Sequence, residues 1–131
     1  MSEEDQIQCA FIEYIGFKFP TLNFFHTPNG GKRHKAEAAK FKKMGVKSGV
    51  ADLYFMDYKT FLEIKTKKGR QSKKQKKFEN ICYKTKHGYH VVYGIDEAIE
   101  WLNNLVTLTN EYYTSIDLNI NEIKCGEIVA A

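Results

Sequence analysis

The stretch GVKSGVADLYFMDYKTFLEIK, residues 45–65, decides how the rest of the chain is read. Asp52 opens an apolar run, Leu53 to Met56. A second run, Phe61-Leu62, leads into Glu63-Ile64-Lys65. Both runs are predicted strands, over 53–56 and 61–65, joined around Asp57-Tyr58-Lys59-Thr60. Side chains alternate across a strand, so Glu63 and Lys65 share one face while Ile64 takes the other. Charges at the end of such apolar strands are costly to keep without a partner or an ion.

Outward from this pair, the flanking segments alternate in type. Residues 3–16 carry Ile7, Phe11, Tyr14 and Ile15 at helical spacing, and Gly16 is read as the stop. A short strand is predicted over 22–26 after Pro20. Thr27-Pro28-Asn29-Gly30-Gly31 has loop chemistry, because Pro and Gly punctuate and Asn-Gly accepts positive φ. A basic helix over 34–44 closes at Gly45. Ser72 is a predicted N-cap for a helix running to about residue 86, with Phe78, Ile81 and Cys82 on its apolar face. A buried strand over 89–93 follows Gly88, and Asp96 is the expected cap of a last core helix through Leu105. The order helix, strand, helix, strand, strand, helix, strand, helix is an α/β layout, a mixed central sheet flanked by helices. Residues 1–105 form the expected domain. Residues 106–131 form an extension, in which 111–120 partly alternate and fit a strand or an added arm, and its Tyr112, Tyr113 and Ile116 are candidates for a dimer interface.

A chain of 131 residues is the length of one domain and can build a core without staples. No apolar stretch approaches the roughly 18 residues that span a membrane. The opening MSEEDQIQ is polar and acidic, unlike a secretory signal. Cys9, Cys82 and Cys125 are odd in number and match no zinc or disulfide spacing, so idle thiols in a reducing compartment are expected.

The net charge of +4 hides an asymmetry. Residues 32–87 hold 18 Lys and Arg against 5 Asp and Glu, a local +13, while the remainder carries −9. Two of those five acids are Asp52 and Glu63. A basic middle around two isolated carboxylates is the footprint of a polyanion surface with a cation site inside it.

Hydrolysing a phosphodiester needs an activated water, charge neutralisation and help for the leaving oxygen, and bound Mg²⁺ supplies all three. Mg²⁺ takes hard oxygen ligands at about 2.0–2.1 Å and keeps several waters. Asp52 and Glu63 can be its two side-chain ligands, with the Ile64 carbonyl as a third. Lys65 beside the cation can hold the attacking water and offset phosphate charge. Glu4 offers a third carboxylate for a second cation or a water, although an acid there also suits a helix N-terminus. Gln75 can reach back to Lys65 or to substrate. Against this stands the plainer reading of D…ExK as a turn residue and a solvated edge-strand pair.

Together these residues resemble the VRR-NUC family of the PD-(D/E)XK nuclease superfamily. The resemblance rests on Glu4 with Gln8, Pro28 to Gly31, Gly45 to Leu53, Leu62 to Lys65, and Ser72 with Gln75, five motifs in order over residues 3–105. The family's usual proline before the aspartate is here Ala51. The resemblance implies a restriction-endonuclease-like core and a Mg²⁺- or Mn²⁺-dependent endodeoxyribonuclease. Asp52, Glu63 and Lys65 would be catalytic, with Glu4 and Gln75 flanking. Stand-alone members of this size are similar to phage and bacterial homodimers that act on branched DNA, so Holliday junction cleavage in the cytoplasm of a bacterial or phage-infected cell is expected. A flap, splayed-arm or nicking nuclease acting as a monomer, or a non-catalytic DNA-binding module, are the alternatives. Asn29, Gly30, Lys32, Arg33, Lys35, Lys67, Lys68, Arg70, Lys73 and Lys74 would contact DNA phosphates, which position a duplex without reading its bases.

Overall fold

The structure, a computed structural model, describes residues 1–28 and 35–125, with side chains as far as Glu111. Its elements are α1 (Glu3–Lys18), β1 (Phe24–His26), α2 (Lys35–Lys43), β2 (Leu53–Phe55), β3 (Thr60–Lys65), α3 (Lys73–Lys84), β4 (Gly88–Tyr93) and α4 (Ile95–Cys125). The strands form one sheet in the order β1-β2-β3-β4. β1, β2 and β3 pair antiparallel, and β3 pairs parallel with β4 through the α3 crossover. This is the predicted mixed α/β sheet.

Register follows from the pleat. Leu53 pairs with Leu62 and Tyr54 with Phe61, so each face of the sheet receives one set. On one face Leu53, Phe55, Leu62 and Ile64 are all buried, and Phe11 and Ile15 of α1 are buried with them. Phe11 and Phe55 meet with ring centroids 6.5 Å apart. On the other face Phe61 meets Phe78 of α3 edge-on at 4.9 Å, within a cluster that includes Ala51, Cys82 and Tyr89. Burial lifts the Cys82 thiol to about 11, so it stays protonated and inert. Cys9 is exposed and free.

Two glycines are demanded by close approach. A side chain at Gly88, where β4 starts, would overlap Thr60 of β3. At Gly49 a Cβ would fall 2.5 Å from the Lys74 carbonyl, and the backbone is left-handed with φ +86°. Gly49 therefore lets the segment leading to Asp52 lie against the start of α3.

The boundaries differ from expectation at five places. β1 starts at Phe24 and not at residue 22, because the Leu22 amide closes a turn by donating to the Phe19 carbonyl at 3.1 Å. α1 passes through Gly16 to Lys18, because a single helical glycine costs only about 1 kcal/mol. β2 ends at Phe55, and Met56–Tyr58 form a 3₁₀ turn closed by Lys59 in the left-handed conformation. Asp57 anchors that turn by accepting from the Asn23 amide at 2.7 Å. Helix α4 starts at Ile95, so Asp96 sits in its first turn and the turn into the helix is made by Gly94 at φ +98°. Finally, α4 continues to Cys125, which replaces the strand or arm read over 111–120. No Gly or Pro interrupts residues 95–125, and a partial period of two cannot stop a helix that lacks a breaker.

Contacts divide the chain into two compact units, Met1–Ala98 and Ile99–Ala131. The first holds the sheet and the site. In the second, Thr109 Oγ1 donates back to the Leu105 carbonyl at 2.8 Å, while Leu108 is exposed. The side chains of Tyr112, Tyr113 and Ile116 lie outside the described residues. Among the described residues no helix is long and apolar enough to cross a membrane.

Candidate active site

Asp52 sits one residue before β2, where the ladder with β3 runs out. Its carboxylate takes over the ladder's role: Oδ2 accepts from the Ile64 amide at 2.7 Å. Continuing the Leu53–Leu62 register by one step sets Asp52 across from Glu63. The strand pair thus brings together two carboxylates that lie eleven residues apart in sequence.

Glu63 is only 2% exposed. Burial, then the hydrogen bond that protonated Glu63 donates to the neighbouring Asp52 carboxylate and that group's charge, push its pKa up to about 9. The nearby Lys65 ammonium pulls in the other direction. At neutral pH without a cation Glu63 therefore retains its proton, since a buried carboxyl beside a second carboxylate cannot ionise cheaply. Glu63 Oε1 is buried and has no hydrogen-bond partner. Such an orphaned acceptor normally costs about 1–3 kcal/mol.

Lys65 is also buried, at 7% exposure. Its Nζ lies 3.8 Å from Glu4 Oε1 of α1, a loose ion pair that reaches the cleft from the helix side. Gln75 does not reach Lys65. It forms a capping box at the start of α3, accepting from the Ser72 amide at 2.8 Å while Ser72 Oγ accepts from the Gln75 amide at 3.2 Å. The sequence foresaw Ser72 as the cap but gave Gln75 a different task. Glu4, Asp52, Glu63, Ser72, Lys74 and Gln75 together line a cleft of about 190 Å³, with Gly49 and Val50 completing its wall.

Among the described residues no three His, Cys, Asp or Glu side chains converge as a ready-made ligand set. The donors are two carboxylates, with Glu4 turned to Lys65. That suits Mg²⁺ or Mn²⁺, which complete their shells with water and main-chain oxygen, better than Zn²⁺. The unpartnered Glu63 Oε1 marks where a cation fits.

The flanking lysines are exposed. Lys67, Lys68 and Arg70 follow β3, and Lys73 and Lys74 open α3. Lys67 and Lys68 also border a second cavity of about 420 Å³, together with Glu3, Ile7, Thr66, Gly94 and Ile95. Lys35 is exposed on α2. Asn29, Gly30, Lys32 and Arg33 lie outside the described residues.

Sequence reading missed His26 and Thr27. His26 Nδ1 lies 2.8 Å from the Asp52 carbonyl oxygen, and the Thr27 amide donates to the same oxygen at 2.9 Å. Thr27 Oγ1 also donates to the Ala51 carbonyl. Only the β1–β2 register brings these residues together, and the sequence pattern does not carry it.

A solved VRR-NUC domain protein matches this architecture with a TM-score of 0.68 and 26% identity. The match covers 82% of this chain and 91% of that one. The fold is that of a VRR-NUC domain. This likeness agrees with the family resemblance read from the motifs. No family profile and no curated protein matches the chain. Asp52 precedes β2 while Glu63 and Lys65 end β3, so the D…ExK residues share the end of this strand pair opposite the Met56–Lys59 turn.

Proposed function

We propose that this chain is a Mg²⁺- or Mn²⁺-dependent endonuclease that hydrolyses phosphodiesters in branched DNA, with the Holliday junction as its preferred substrate and a homodimer as its working form. The observation that carries the reading is the pairing of half-buried Asp52 with buried Glu63, whose Oε1 is left unpartnered beside Lys65. Asp52, Glu63 and the Ile64 carbonyl would hold the cation. When bound, it supplies Lewis acidity at the phosphate and lowers the pKa of water.

The chain's own groups divide the remaining work. Lys65 is aimed by Glu4 and carries positive charge into a nearly dry position, where it orients the attacking water and stabilises charge developing on phosphate. Lys67, Lys68, Arg70, Lys73 and Lys74 extend from both sides of the cleft and seat the backbone of a duplex. Their interaction is with phosphate, so the selectivity is for shape. A junction has approximate two-fold symmetry and needs two cuts, which a C₂ dimer matches with two sites on one self-complementary surface.

A panel of synthetic substrates tests this: junction, flap, splayed arm and nicked duplex, at equal concentration in Mn²⁺, Mg²⁺ or chelator. The reading predicts paired cuts in the junction that chelator abolishes, together with a dimeric mass in solution. Equal cutting of all substrates by a monomer would remove the junction and dimer parts and leave the hydrolase.

A further inference from the structure

We propose that His26 and Gln8 form a positioning relay that aims Asp52: His26 Nδ1–H donates to the Asp52 main-chain carbonyl, and Gln8 holds the ring. The proposal rests on Asp52 as a cation ligand and goes beyond it to residues that touch neither cation nor substrate.

The proton positions follow from chemistry. The Asp52 carbonyl oxygen can only accept, so Nδ1 at 2.8 Å must carry the hydrogen. Gln8 Nε2 is placed 3.0 Å from the same Nδ1. A nitrogen that carries a hydrogen cannot accept from a second donor, so the Gln8 amide presents its oxygen there instead. Nδ1–H is then shared between the Asp52 carbonyl and Gln8 Oε1. This fixes both the tautomer and the ring plane.

The relay completes a clamp. The Asp52 carbonyl also accepts from the Thr27 amide at 2.9 Å, and its carboxylate Oδ2 accepts from the Ile64 amide at 2.7 Å. Asp52 is thus held by main chain and side chain from both neighbouring strands. On α1, Gln8 lies four residues after Glu4, so both occupy one helical face. Glu4 meets Lys65 and Gln8 meets His26, so a single face of α1 braces both charged ends of the site.

Mn²⁺ binding by titration calorimetry, beside cutting at graded Mn²⁺, tests the relay. His26→Ala should weaken Mn²⁺ binding about tenfold, the lower end for groups that orient metal ligands, while cutting at saturating Mn²⁺ changes far less. His26→Asn keeps a donor near the Nδ1 position and should recover affinity to within about threefold of wild type, against the full loss in His26→Ala. Gln8→Ala should give a smaller loss, and none when His26 is already Ala, because it acts through the ring. Thermal melting of each variant identifies loss of fold, and Gln8→Ala, a half-buried helix position, keeps the comparison open if His26→Ala unfolds. Wild-type Mn²⁺ affinity in His26→Ala, or no recovery in His26→Asn, overturns the relay, as does an additive Gln8→Ala loss. A wild-type protein that binds Mn²⁺ but cuts no DNA overturns the nuclease reading alone, and the affinities still decide the relay.

Discussion

The two faces of β3 make opposite use of one strand. Leu62 and Ile64 point into a dry layer with Leu53, Phe55, Phe11 and Ile15, and every one of them is buried. Phe61, Glu63 and Lys65 point the other way, and only the first of the three is apolar. On that second face the strand buries a carboxylate without a full set of partners and an ammonium held by one loose ion pair. The first face contributes stability. The second gives some of it up to keep charge where a phosphate and a cation would meet. Such local conflict with the rules of packing is what marks a functional site.

The largest expected effect breaks the second face alone. Asp52→Ala or Lys65→Ala should lower cutting by roughly a thousandfold or more, the scale for removing a group that stabilises transition-state charge. Lys65→Ala should leave the melting temperature near wild type, whereas Asp52→Ala also strips the Ile64 amide of its acceptor and should cost about 1–3 kcal/mol. Cutting assays beside a melting curve check both halves. Wild-type-like activity in either variant would reject the assigned site.

The mirror-image experiment breaks the first face. Leu62→Ala should cost about 2–5 kcal/mol, from lost transfer energy plus the cavity it leaves. Urea titration measures it. Any activity lost should follow the folded fraction, with the Mn²⁺ requirement of the remaining folded protein unchanged. A changed Mn²⁺ requirement would mean that the two faces are coupled through the strand.

The two strands and the meeting of Asp52 with Glu63 were legible in the sequence, for a physical reason. Apolar runs with charges at their ends conflict with simple burial, and Leu53 to Phe55 and Phe61 to Lys65 carry that conflict in a short segment. The capping of α3 by Ser72 was equally local and therefore visible. What stayed hidden was non-local. Gln75 lines the cleft, and that placement comes from the fold, although the bond its oxygen accepts from the Ser72 amide is local. His26 showed nothing until the β1–β2 register put it beside Asp52. The continuation of α4 past Leu105 was obscured by a weak alternation that the absence of Gly and Pro outweighs.

A third prediction sharpens the contrast at one residue. Glu63→Gln keeps the shape and cannot ionise, so it should abolish cutting and yet raise the stability of the cation-free protein at neutral pH. The sign follows from linkage. Native Glu63 holds its proton up to about pH 9, whereas the unfolded chain releases it near the ordinary value of 4.5. The folded state therefore binds more protons between those values, and stability falls as pH rises through them. Melting curves in chelator should show that decline in wild type and a flatter profile in Glu63→Gln. Mn²⁺ should raise the wild-type melting temperature and leave that of the variant nearly unmoved. A variant less stable than wild type at pH 8 in chelator would mean that Glu63 is satisfied in the fold, and the two faces of β3 would then differ less than the buried Oε1 indicates.

The smallest effect concerns charges outside both faces. Lys67 and Lys73 flank the cleft on separate elements, the loop after β3 and the first turn of α3, and both are exposed. If each meets a phosphate, replacing either by Ala should weaken DNA binding similarly on every substrate. Each replacement should also reduce the slope of log affinity against log salt by about 0.9, one released counterion. Fluorescence anisotropy in a salt series, with Glu63→Gln as a non-cutting background, measures this. Neither change should move the melting temperature by more than a solvated lysine can, about 0.5 kcal/mol or less. A loss confined to the junction would instead assign that lysine to reading the branch point. Selectivity would then belong to the loop after β3 or to the start of α3, while β3 itself supplies only the cut.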